Sequence, residues 1–172
     1  MYQVDDKDRV LEIKDIPQSS VGAPIPAVIS GEHSAAIVFY TQSIDPEWDG
    51  STVRVVDADS HEPSVMVRFD SCYVHTFGPP NDEVFSGHPL YERGLHPYAN
   101  FEVKNSSWIR SFEKMNSVHP YHNKDNFLEG KRHFILAFHD STFECIAKSY
   151  AIEKTEGSIH EALSRLGQEI DQ

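Results

Sequence analysis

Cysteine is scarce in this chain of 172 residues, occurring only as Cys72 and Cys145. Two thiols cannot build a disulfide framework or a four-thiolate zinc site, and no Cys-x-x-Cys pair points to redox exchange. Long apolar runs are also missing, and none approaches the roughly 20 residues that a membrane-spanning helix needs. The first residues hold Asp5, Asp6, Lys7, Asp8 and Arg9 where an export leader would be apolar, so a cytoplasmic location with reduced thiols is expected. Positive charge is in short supply: 15 Lys and Arg stand against 27 Asp and Glu, a formal net charge of −12. That balance repels phosphate backbones and anionic lipid surfaces, so neither nucleic acid nor membrane is an expected partner. A basic protein would be steered favourably towards it.

Several catalytic signatures are absent too. There is no Gly-x-x-x-x-Gly-Lys-Ser/Thr phosphate loop, no Gly-x-Gly-x-x-Gly, no Gly-x-Ser-x-Gly elbow and no His-Glu-x-x-His helix. The common nucleotide-binding, serine-hydrolase and zinc-protease readings therefore have no motif to stand on. The stretch from Asp57 to Glu62 begins like a calcium loop. It carries Glu62 where Gly is required and Arg68 where a bidentate Glu is required, and reads as an acidic turn.

What is present is globular. The chain is 39% hydrophobic, with ten Phe and seven Tyr, a composition that suits pleated sheets. A compact domain of this length buries roughly 70% of its unfolded surface, so it needs no metal or cofactor to stay folded. One domain over 1–172 is expected, with 1–8 and 168–172 as fraying ends. Strands are expected at 26–30 and 34–41, the second apolar on both faces and hence central. Further strands are expected at 52–58, after a loop marked by Asp45-Pro46 and Asp49-Gly50, and at 64–77, with a bend near Ser71. A helix should start at Asn105 or Ser106 and bury Trp108, Ile109, Phe112 and Met115. A second helix over 159–167 carries a Ser158-x-x-Glu161 capping box.

The most regular segment is 132–152, where alternating residues flank Asp140-Ser141. A two-residue connection would pair Phe138 with Phe143, Leu136 with Cys145 and Phe134 with Ala147, leaving one apolar face. Asp-Ser is a weaker turn signal than Asp-Gly, so a longer loop is also compatible. His133, Ile135, Ala137, His139, Thr142, Glu144, Ile146 and Lys148 fall on the opposite face. There Glu144 would sit opposite Ala137 and diagonal to His139, able to orient an imidazole. The resulting architecture is α+β: a curved, largely antiparallel sheet of six to eight strands, as a sandwich or partly closed barrel, with two short helices packed on it.

Histidine is over-represented, with ten residues. His88-Pro89, His96-Pro97 and His119-Pro120 are each followed closely by tyrosine, and His122 adds another imidazole. Two of these units lie in 78–104, an irregular stretch of a length that is usually functional or mobile. A candidate ligand site therefore comprises His88, Tyr91, His96, Tyr98, His119 and His122, with Asp82 and Glu83 as acceptors. The bland alternative is that these rings pack the loop onto the sheet. The leading functional expectation is a non-catalytic binding module for a small molecule or polypeptide. The rivals are a metal-dependent or His-based hydrolase using the same region, and an acidic accessory or inhibitor domain for a basic partner.

Burial within strands predicts that neither thiol reacts quickly in the native state. Alkylation followed by mass spectrometry checks this: the expected result is slow labelling of Cys72 and Cys145, and rapid labelling of either contradicts it.

Overall fold

The computed structural model describes residues 2–42, 51 and 55–170. The strands are β1 (Arg9–Ile13), β2 (Ala27–Ser30), β3 (Ala35–Tyr40), β4 (Glu62–Asp70), β5 (Val74–Gly78), β6 (Asn100–Lys104), β7 (Arg132–Ala137), β8 (Thr142–Ala147) and β9 (Ser149–Gly157). The helices are α1 (Ser107–Asn116), α2 (Lys124–Leu128) and α3 (Ile159–Ile170). Two antiparallel sheets form, in the orders β1-β6-β7-β8-β5 and β2-β3-β4-β9, and among the described residues neither closes into a barrel. The class is α+β, as expected, with more strands and one more helix than the sequence pattern showed.

Alternation accounts for the layers. Ile37, Phe39, Val65, Val67 and Phe69 of the four-stranded sheet meet Phe134, Leu136, Phe138, Phe143 and Cys145 of the five-stranded sheet in one apolar core. The reverse face of β3 and β4 packs through Val38, Tyr40 and Met66 onto Ile159, Ala162 and Leu166 of α3. Both faces of β3 are therefore covered, which its doubly apolar sequence requires. The outer face of the five-stranded sheet is covered by Phe85, Leu90 and Leu95 of the 78–99 segment and by Trp108 and Ile109 of α1. That segment contains only two short 3-10 turns, Phe85–Gly87 and Tyr91–Arg93, yet it is a packed layer of the fold.

The expected strand over 64–77 divides at Ser71, whose φ of 50° turns the chain from one sheet into the other. The same corner is crossed in reverse at Lys148, whose N–H donates to the Asp70 carbonyl between β8 and β9. Of the expected strand at 52–58, residues 52–54 lie outside the described residues and 55–58 are irregular. The Asp45-Pro46 and Asp49-Gly50 loop also lies outside them. At Asp57 the acidic turn is real, its Oδ1 accepting from the Asp59 N–H and the Ser60 hydroxyl.

The hairpin register differs by two residues from the shortest-loop reading. Phe134 pairs with Cys145, Leu136 with Phe143 and Ala137 with Thr142, leaving a 138–141 loop closed by the Phe138 N–H donating to the Ser141 carbonyl. A two-residue shift preserves which face each side chain takes, because the strand period is two. The Phe face was therefore readable although its partners were not. Glu144 consequently lies opposite Ile135, adjacent in register to His133 rather than His139.

Helix starts follow their local chemistry. Ser106 Oγ accepts from the Ile109 N–H, and the Ser158–Glu161 box closes in both directions at 2.9 and 3.1 Å. Gly157 precedes that box at φ 137°, where a Cβ would meet Glu161 Oε2 at 2.9 Å. Met115, expected in the core, is 67% exposed because only the first turn of α1 is buried. Asp8 is buried, and α3 runs on to Ile170. Both cysteines are free and buried.

Phe138 is fully buried and meets Phe39 across the sandwich with ring centroids 4.9 Å apart. Phe138→Ala is expected to lower unfolding stability by about 3–5 kcal/mol, read from denaturant melts.

Candidate functional site

The repeated His-Pro units resolve into local turns. In 88–91 and 119–122 the residue three positions on donates its N–H to the histidine carbonyl, with proline at the second position. In both, the imidazole Nδ1 also accepts the N–H of the residue two positions on: Leu90 to His88 at 3.1 Å, and Tyr121 to His119 at 3.2 Å. The side chain satisfies a backbone donor within the turn, as Asx residues do elsewhere. His96 differs: its Nδ1 lies 3.1 Å from the Pro97 carbonyl and its ring meets Phe101 edge-on.

The three His-Pro imidazoles end in three environments. His88 is buried and contacts Glu144. His96 is exposed, and His119 is exposed beside Tyr121. His122 turns back onto α1, its Nε2 2.9 Å from Glu113 and its Nδ1 3.1 Å from Asn116. Tyr91 packs edge-on against Phe85, and Glu83 is exposed. Beyond the turn hydrogen bonds of His88 with Tyr91 and His119 with His122, Tyr98 and Asp82 are the pair of the expected group whose side chains hydrogen-bond to each other, at 2.5 Å. Among the described residues, no three His, Cys, Asp or Glu side chains converge as metal ligands would.

Two polar clusters result. The buried one centres on Glu144, with His88 at one carboxylate oxygen and His133 at the other, 3.3 Å away. Its proton positions follow from the outer partners. The Leu90 N–H occupies His88 Nδ1, so the His88 proton sits on Nε2 and is donated to Glu144. The Glu144 carboxylate can only accept, so His133 carries its proton on Nε2 and donates it there, which leaves Nδ1 to accept the Ser106 hydroxyl at 2.9 Å. Burial opposes the charge on Glu144, but these imidazole donors outweigh it and hold the carboxyl at about 2. Tyr2 stacks on Trp108 at 5.3 Å, and burial together with Glu144 pushes its hydroxyl pKa upward. The cluster ties the 78–99 segment, the α1 cap and two strands together, and it is closed to solvent.

The second cluster is open. Asp82 Oδ2 accepts the Tyr98 hydroxyl and lies 3.0 Å from His139 Nδ1, which is 2.9 Å from the Tyr98 oxygen. The Tyr98 proton goes to the carboxylate, so Nδ1 must carry the imidazole proton and Nε2 is left as an acceptor. The hydrogen bond from Tyr98 holds the Asp82 carboxyl below its usual range, and the same contact pushes the Tyr98 hydroxyl up to about 12. The His139 side chain is 40% exposed, with Asp140 4.0 Å from Nε2. Tyr98 has φ 61°, a left-handed conformation that is costly for a bulky residue. Asp82 Oδ1 is buried without a hydrogen-bond partner. His139 was expected on the outer face of a strand beside Glu144; it lies in the 138–141 loop, and its partner Asp82 is 57 positions away in the chain.

Because the folded Glu144 pKa is depressed, its stabilisation is fully present above the ordinary value of 4.5 and is lost as pH falls towards about 2. Glu144→Gln is expected to lose about 1–3 kcal/mol at neutral pH, since one imidazole N–H then faces an amide donor. Thermal melts from pH 7 to 2 check this: the gap between wild type and variant should close as the pH falls below 4.5.

Comparison with known protein families, characterised proteins and solved structures finds no match to this chain.

Proposed function

We propose that this chain is a non-catalytic binding module of the cytoplasm that takes a small molecule or polypeptide at the Tyr98–Asp82–His139 cluster. The observation that carries the reading is the His139 imidazole, fixed at Nδ1 by Asp82 and partly exposed with Nε2 as an open acceptor. The left-handed Tyr98 supports it, because backbone strain of this kind persists where its surroundings impose it and is concentrated at functional positions. The unpartnered Asp82 Oδ1 adds a second acceptor, and buried polar atoms ordinarily have a partner. An exposed imidazole acceptor favours a ligand group that donates, such as an amide, hydroxyl or amine. The cytoplasmic placement is supported by the two free thiols, and the formal charge of −12 argues against nucleic acid as the ligand. Among the described residues, no helix is long and apolar enough to cross a membrane.

A second reading is favoured by the same imidazole. A carboxylate-oriented histidine with a free Nε2 is the arrangement that general-base hydrolysis uses.

Both readings are tested by NMR. Fragments bearing amide and amine groups are expected to shift the amide signals of Asp82, Tyr98 and His139, and Asp82→Asn to weaken them about tenfold. Absence of such shifts removes the binding reading. Hydrolysis of p-nitrophenyl acetate beyond the rate of free imidazole, abolished by His139→Ala, would favour the enzymatic one.

A further inference from the structure

Positive charge, scarce in the whole chain, is gathered in one place. A cleft of about 640 Å³ is lined by Lys7, Arg9, Lys104, Arg110, Lys131 and Arg132, and among the described residues Asp6 and Glu102 are the carboxylates of its lining, with Asp5 at the rim. These are six of the chain's fifteen Lys and Arg, so the rest of the surface carries the entire negative excess. We propose that this cleft binds a small multivalent anion, a phosphate-bearing or polycarboxylate molecule, at a site distinct from the Tyr98 cluster.

Topology creates the cleft. Residues from the start of β1, the end of β6 and the start of β7 lie side by side because these strands are neighbours in the sheet. Arg9 is directly opposite Lys104, and Val103 pairs with His133, which brings Arg132 next in line. Like charges directly opposed across strands are destabilising. Glu102 offsets part of that opposition: it receives a forked pair of hydrogen bonds from Arg132, at 2.8 and 2.9 Å, and also contacts Lys104. Arg132 is further held over the Phe134 ring, 4.8 Å from its centroid. Two cations are thus fixed in place by one carboxylate. Lys7 and Arg9 are exposed, and among the described residues neither side chain forms an ion pair.

α1 begins at the cleft, where the buried Asp8 carboxylate accepts the Ser107 N–H at 2.6 Å and offsets the positive end of its dipole, so the attraction for an anion comes from the side-chain cations. Arg110 reaches the rim, where Asp5 holds it at 2.6 Å. Lys131 lies 4.2 Å from the Phe127 ring centroid, and burial lowers its pKa, a strain that a bound anion would relieve.

Size and charge select a compact ligand. The volume falls within the roughly 300–1,000 Å³ of small-molecule sites. A duplex or a bilayer would bring the acidic remainder of the surface against further phosphates, and repulsion would oppose it. A short anion feels the cleft, because charges more than about 8–10 Å away are screened at ordinary salt.

The probe is inorganic pyrophosphate, titrated into the full chain by calorimetry and by NMR. Saturable binding is expected, weakening with added salt and shifting the amide signals of Lys7, Arg9, Lys104 and Arg110. Lys7→Gln combined with Arg9→Gln should weaken it about tenfold. The thermal midpoint of that variant should be unchanged or raised, since a like-charge opposition is removed; a purely structural role for these residues would lower it. Lys14→Gln, on the same strand edge outside the cleft, should leave binding intact. The proposal is overturned by shifts elsewhere in the wild type, by equal loss in all variants, or by no saturable binding. Tighter binding of a single-stranded oligonucleotide than of pyrophosphate would likewise overturn it.

Discussion

Burying the Glu144 carboxylate is tolerable only because two imidazole N–H groups reach it, and the way they reach it organises one whole side of the molecule. His133 comes from the neighbouring strand, while His88 comes from the irregular 78–99 segment. Each imidazole is in turn fixed from behind, His88 by the Leu90 N–H and His133 by the Ser106 hydroxyl that caps α1. An isolated carboxylate in this position would be far more costly than any packing gain could offset. The segment, the helix cap and the strands are thus bound to a common requirement. That requirement explains why His88 is buried in a stretch with little regular structure.

The two sheets share a core but use their outer faces differently. The four-stranded sheet is sealed by the apolar side of α3, an ordinary helix-on-sheet contact. The five-stranded sheet carries His133, Glu144 and Thr142 outwards, all buried under the covering layer. A polar sheet face under a loop is high-stakes, because every donor and acceptor must be matched. Where the cover ends, polar groups emerge into solvent: Tyr98, Asp82 and His139 on one side, and the basic row from β1, β6 and β7 on another. Both candidate sites are margins of the same layer.

Function in this chain is therefore expected at the rim of a rigid sheet, where loops and strand ends expose directed polar groups. Four of the ten histidines are architectural. His88 and His119 close their own turns, His122 stays with α1, and His133 holds the core carboxylate. His139 combines a fixed orientation with an exposed nitrogen beside the left-handed Tyr98.

The sequence by itself determined whatever depends on neighbours a few residues apart. Alternation set the faces of Phe134, Leu136, Phe138 and Phe143, Ser158 and Glu161 marked the start of α3, and the apolar run 35–40 marked a central strand. Period-two patterning and capping hydrogen bonds are local, so they survive in the linear text. Tertiary structure alone decided the hairpin partners, the corner at Ser71, the pairing of His139 with Asp82 and the gathering of Lys7, Arg9, Lys104 and Arg132. Each of these joins residues distant in the chain. Strand order and loop path choose such partners, and the side-chain period is blind to both because it repeats identically in every register shifted by two.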